Sequence, residues 1–158
     1  MQISNQSSFY VVGISARTSN AIELAGHGVI GKLWHYFFSK SLLSRISNRI
    51  DTDIVAVYFD YATDKDGEYS YLIGARVKNL DHVPDEMVGY EVPAQHYALF
   101  TSEQGQMPGV EVALWQKIWN QEDAGTLNRA YIADYVVYDK RSHDPTNAAV
   151  DIYIGLKK

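Results

Sequence analysis

Residues 67–78 read GEYSYLIGARVK, and the way this stretch sorts its side chains decides the fold. Alternate positions Tyr69, Tyr71, Ile73, Ala75 and Val77 make one continuous apolar face, the signature of a strand with one side against a helix. The other positions, Glu68, Ser70, Leu72, Gly74 and Arg76, are mixed and contain small residues. The pattern returns near the end of the chain. There Val150, Ile152 and Ile154 alternate with Asp151, Tyr153 and Gly155, and YLIG (71–74) is echoed by IYIG (152–155). A second echo lies upstream, where KLWHYFF (32–38) matches ALWQKIW (113–119). Trp34 to Trp115 and Gly74 to Gly155 have the same separation, 115 − 34 = 155 − 74 = 81. Two landmarks at one spacing indicate an internal repeat.

The remaining elements fall into place around the repeat. Residues 9–17, 53–60, 67–78, 130–138 and 148–156 are expected as strands, and 88–102 as an extended stretch interrupted by Pro93. Helices are expected at 28–47, where Ile30, Leu33, Trp34, Phe37 and Leu42 share a face, and at 109–120, opened by Pro108. Each half is then β-α-β-β, with halves of about 8–80 and 88–158 in a single domain spanning 1–158. The expected fold class is α+β: a duplicated βαββ with pseudo-two-fold symmetry. Its antiparallel sheets would carry the helices on their outer faces and leave a ligand cleft between the halves. The mixed faces would line that cleft, since small residues leave space and polar ones orient a ligand. Without a gap, the 81-residue spacing sets Asp134 on Asp53, Val136 on Val55 and Tyr138 on Val57.

The stretch RAYIADYVVYDKR (129–141) sharpens the functional question. Both faces of its strand are mostly apolar, yet Asp134 sits among them. One reading has Asp134 half exposed and paired with Arg129 or Arg141. The other makes it a carboxylate in an aromatic-walled cleft, where a cationic ligand would relieve the cost of burying a charge.

Composition narrows the function classes. The net charge is −5 and no basic run occurs, which disfavours a grip on phosphate backbones. Cysteine is absent, so disulfides, thiol catalysis and cysteine metal sites are excluded. Tyrosine is abundant, at 12 of 158 residues, and suits a wall that is apolar with a polar handle. His27, His35, His82, His96 and His143 form no ligand-like pair, and DKDGE (64–68) lacks the spacing of a calcium loop, so no metal or other cofactor is expected. No P-loop, GxGxxG, GxSxG or HExxH motif occurs, and no catalytic residue is assigned. The N-terminus lacks the features of a secretion signal and no segment is apolar enough to span a membrane, so a cytoplasmic protein is expected.

Three ordered blocks carry a family resemblance: VPAQHYALFTSEQGQMP (92–108), VALWQKIW (112–119) and YVVYDKRSHDPTNAAVDIYIGLKK (135–158). With VVGISARTSN and FDYATDKDGEYSYLIG, they resemble the GyrI-like, or AraC-type effector-binding, domain family, especially its stand-alone bacterial and integron-cassette members. The resemblance implies a duplicated βαββ fold that holds small, often cationic and aromatic molecules between its halves, in the service of transcription regulation or drug resistance. Because the chain starts directly at its first strand, no DNA-binding module and no direct nucleic-acid contact is expected. Some relatives inhibit DNA gyrase and others are similar to hydrolases of strained small rings, so an interaction module and such a hydrolase are the alternatives. A homodimer or a separate regulatory protein stays open as partner.

The family's pocket acid is a glutamate in a pattern of the form aromatic-Glu-Val-Tyr-Asp. The matching run here is Tyr135-Val136-Val137-Tyr138-Asp139, with Val136 at the glutamate position. The expected ligand walls are therefore Phe59, Leu72, Val136, Tyr138 and Tyr153, together with Tyr58 and Trp115. Asp134 or Glu68 would supply the charge.

Overall fold

The computed structural model describes residues 2–158. Its strands form one antiparallel sheet of eight: β1 (Gln2–Gln6), β2 (Phe9–Ser19), β3 (Ile54–Phe59), β4 (Glu68–Val77), β5 (Val88–Val92), β6 (Gln95–Thr101), β7 (Arg129–Tyr138) and β8 (Asp151–Leu156). The order across the sheet is β1-β6-β8-β7-β3-β4-β2-β5. The β3–β7 ladder is central. Outward from it lie β4 then β2 on one side, and β8 then β6 on the other. The fold is α+β, as expected; the order β3-β4-β2 on one side of the centre mirrors β7-β8-β6 on the other, while β5, which the sequence placed in the second half, pairs with β2.

The helices depart from expectation in their number. The single helix foreseen over 28–47 is replaced by three pieces beginning further upstream, α1 (Asn20–Leu24), α2 (Ile30–Ser39) and α3 (Leu42–Arg45). Ser41, at φ 51° in the left-handed region, breaks the rod between α2 and α3. Helix α4 (Gly109–Asp123) follows Pro108 as read from the sequence. The stretch at 88–102 divides at Pro93 into β5 and β6, and β1 was not foreseen.

The face assignment needs the larger correction. The apolar alternates Tyr69, Tyr71 and Ile73 do meet helices, but α2 and α4 both lie on that same side of the one sheet, in a shared core with Phe37, Leu114 and Ile118. The opposite, mixed face is packed and does not line the cleft expected of it. Val11, Val55, Val57, Leu72, Val92, Tyr97, Tyr135 and Val137 form a second buried cluster there. No helix is needed to cover it, because the sheet curls over itself. Phe9 on β2 touches Tyr135 on β7 with ring centroids 5.0 Å apart, and Phe59 on β3 stacks on Tyr90 of β5 at 3.9 Å. Each pair is three strands apart, roughly 14 Å in a flat sheet. The small residues serve this curl. A Cβ on Gly74 would overlap the Val12 carbonyl oxygen, and one on Gly155 would stand 2.8 Å from that of Ala133. Crossing backbone, not ligand, fills the space that the glycines leave.

The repeat spacing also slips. Ile73 and Ile154 both face the helices, as the 81-residue offset requires, but Val55 faces the curled interior while Val136 faces the helices. A bulge in β7 between Arg129 and Asp134, with Tyr131 at φ 56°, accompanies the loss of registry. The gap-free pairings of Val136 with Val55 and of Asp134 with Asp53 therefore do not hold. Among the described residues, no helix is long and apolar enough to cross a membrane.

Candidate ligand-binding site

Between α2 and α4, above the central strands, lies a cavity of about 1030 Å³. It sits where the halves meet, but on the helix side of the sheet. Its floor is tyrosine from adjacent strands: Tyr58 on β3, Tyr69 and Tyr71 on β4, Tyr138 on β7. Cross-strand pairing sets these side by side, since Tyr58 is opposite Tyr71. The walls are tryptophan. Trp34 of α2 packs edge-on to Tyr138 at 4.9 Å, and Trp115 of α4 edge-on to Tyr58 at 5.1 Å. Trp119, one turn beyond Trp115, extends the same wall. The Trp34 indole N–H donates to the Tyr71 hydroxyl at 2.8 Å, which fixes both rings.

Among the described residues, the acid Glu111 faces this cavity without a charged partner. Glu111, on the first turn of α4, lines it half-buried. Its carboxylate accepts from the Tyr138 hydroxyl at 2.6 Å and from the Trp115 indole N–H at 3.3 Å. Burial pushes the Glu111 carboxyl above the usual range, against the two hydrogen bonds that lower it. Burial likewise pushes the phenols of Tyr58, Tyr71 and Tyr138 well above theirs, so all three are uncharged. Glu23, a second carboxylate lining the cavity, is occupied. It accepts from the Thr18 hydroxyl and from the backbone N–H groups of Val29, at 2.9 Å, and Ile30, capping α2.

The nine residues singled out from the sequence separate into groups. Tyr58, Trp115 and Tyr138 line the cavity. Phe59, Leu72 and Tyr153 point the other way, into the curled interior, where Tyr153 stacks on Tyr135 at 4.5 Å. Val136 is fully buried in the core layer beneath the helices and does not reach the cavity surface. Glu68 is exposed and reaches Arg17 at 3.6 Å. Asp134 is fully buried and satisfied: Arg129 Nη2 at 2.6 Å, the Tyr61 hydroxyl, and the Gly155 N–H at 2.8 Å. Its partner is thus Arg129, one of the two anticipated, but the pair is interior; Arg141 bonds Asp139 and Asp151 instead. Sequence reading missed Trp34, Trp119, Tyr69, Tyr71 and Glu111. The signal for the last was present, since Glu111, Trp115 and Trp119 recur at helical spacing on one side of α4. Among the described residues no cluster of histidines and carboxylates could hold a metal ion.

An aromatic box between two helices, with one acid in it, can now be compared with known proteins. The family model for integron-associated effector-binding proteins matches residues 2–156. The chain belongs to that family. It is 30% identical to YobU of Bacillus subtilis (strain 168) over 147 residues, 92% of this chain and 91% of YobU. It is 32% identical to the transcriptional regulator BrlR of Pseudomonas aeruginosa over 131 residues, which span 80% of this chain but 46% of BrlR. Among solved structures, an integron cassette protein of Vibrio cholerae superposes with a TM-score of 0.79 at 27% identity, covering 99% of this chain and 95% of that one. SAV2435, solved bound to tetraphenylphosphonium, superposes at 0.78 with 15% identity, covering 99% and 93%. Both structural neighbours share the fold of this effector-binding protein.

Proposed function

We propose that the whole chain, residues 1–158, acts as one effector-binding domain that holds a small hydrophobic molecule between α2 and α4, aromatic cations foremost. Its place would be the bacterial cytoplasm, in transcription regulation or drug resistance, and it would signal to a second copy or a separate regulatory protein. The observation that carries this reading is the aromatic box closed by Glu111, an acid with hydroxyl and indole partners but no basic one among the described residues. Tyr and Trp faces attract cations, and an unpaired carboxylate adds charge recognition. The cavity is at the upper end of the usual ligand-pocket range of roughly 300–1,000 Å³. Tetraphenylphosphonium, bound by a protein of this fold, is a ligand of the matching size and class. We read the site as a binder and not as a hydrolase of strained rings, because Glu23 is taken up as a helix cap and leaves no second carboxylate free to share acid and base roles.

Trp34, Trp115 and Trp119 make the test direct. Titration with tetraphenylphosphonium and with neutral triphenylphosphine oxide should change tryptophan fluorescence saturably, and Trp115→Ala should weaken both. Failure of both probes to alter the emission would remove this reading.

A further inference from the structure

Glu111 stands apart from the other carboxylates near the cavity. Asp134 has Arg129, Asp123 has Lys65 at 3.1 Å, and Glu23 has a hydroxyl and two backbone donors. Glu111 has two uncharged donors and, among the described residues, no ion pair. The groups packed against it from other elements are Tyr58 on β3, Tyr71 on β4 and Tyr138 on β7, all neutral phenols. His143, after the short 3-10 turn Lys140–Ser142, lines the same cavity. The nearest buried cation, Arg129, meets Glu122, and 122 − 111 = 11 residues of helix place it about 16 Å along α4. The N-terminal dipole of α4 favours an anion at Glu111, but its contribution is small beside the cost of drying a carboxylate.

We propose that cations enter this pocket in exchange for the proton on Glu111, so that one cavity takes neutral hydrophobic molecules while that carboxyl is protonated and hydrophobic cations while it is ionised. The inference rests on the pocket reading above and deepens it. A protonated Glu111 leaves the box uncharged and suited to a neutral guest. A cation placed between Trp34 and Trp115 supplies the counter-charge that Glu111 otherwise lacks, so the carboxylate form is favoured and the proton goes to solvent. By linkage, raising the pH must tighten cation binding by the same coupling that makes the cation release the proton. The upward push of burial on Glu111 moves this exchange toward the neutral range.

Calorimetric titration of the full chain between about pH 5 and pH 8, in two buffers of different ionisation enthalpy, tests the exchange. Tetraphenylphosphonium should bind more tightly as pH rises, by up to about tenfold per unit below the folded-state pKa of Glu111, and with net proton release. Triphenylphosphine oxide should show no such tightening. Glu111→Gln should flatten the cation profile. A flat profile with no proton release in the unaltered protein would sink the exchange while leaving the pocket reading intact. A slope that survives in Glu111→Gln would assign the proton to another group and overturn the proposal. Failure of both probes to bind at any pH would remove the pocket reading and this inference with it. Should Glu111→Gln not fold, the same titration of a His143→Gln variant decides, since a slope and proton release lost there would overturn the proposal and their persistence would support it.

Discussion

Two buried carboxyl groups, Asp134 and Glu111, have opposite energetic roles. Asp134 is fully buried against an Arg129 that is itself 4% exposed, so the pair is held by geometry and by the extra bonds from Tyr61 and Gly155. Asp134→Asn removes the nearer counter-ion of the buried guanidinium, leaving only Glu122 at 3.6 Å, and should cost about 3–5 kcal/mol. Glu111→Gln should do the reverse at neutral pH. Its folded pKa is raised, so the folded state holds the proton more tightly than the unfolded chain, where glutamate titrates near about 4.3. That contribution is fully present below the unfolded value and is lost as pH rises through the folded one. Removing the carboxylate therefore raises ligand-free stability at neutral pH, and the gain shrinks as pH falls. Urea unfolding of both variants at neutral and acidic pH checks the contrast; a destabilised Glu111→Gln at neutral pH would mean that the acid is compensated. Sequence reading narrowed the partner of Asp134 to Arg129 or Arg141, since an aspartate in an apolar run needs a nearby base, but expected the pair half exposed and not interior. It could not see that the acid of this pocket comes from α4 and not from the strand that carries Val136, because that depends on which face of α4 meets the sheet.

Alternation within each strand was readable, because period-2 patterning is local. Registry between the repeats was not. The bulge in β7 shifts the pairing without any signal in composition, and an odd offset then assigns side chains to the wrong face. The glycines were recognised as special but for a different reason. Gly74 lies opposite Gly13, and each would drive a Cβ into the other strand's backbone. Gly74→Ala is accordingly expected to cost about 1–3 kcal/mol or more, the scale of overpacking a core, because backbone cannot yield as a side chain can. Thermal unfolding measures it. Gly31→Ala provides the control. Gly31 lies in α2 with nothing within 4 Å of an added Cβ, so that change should be neutral or slightly stabilising.

At the scale of the whole molecule, the α+β class and the antiparallel pairing followed from two echoing halves. Which face stays open did not, because it depends on contacts between strands far apart in the order. Phe9 against Tyr135 and Phe59 against Tyr90 close one side, and the opening moves to the other. Since a ligand that binds only the folded chain stabilises it by mass action, tetraphenylphosphonium at one hundred times its dissociation constant should add about 2.7 kcal/mol. For a chain of this length that raises the melting temperature by roughly 5–10 °C. A melting temperature independent of ligand at saturating concentration would contradict binding to the folded state.

The aromatic plug on the far side of the sheet also limits how the cavity can change size. Its floor is backed by a second packed cluster, so the central strands cannot sink to admit a wider guest. Any extra girth must be taken up by the roof, where α2 belongs to one half of the chain and α4 to the other. A wider guest would have to part these two helices, as calipers are opened by what they span, and its width would then be legible from the outer surface.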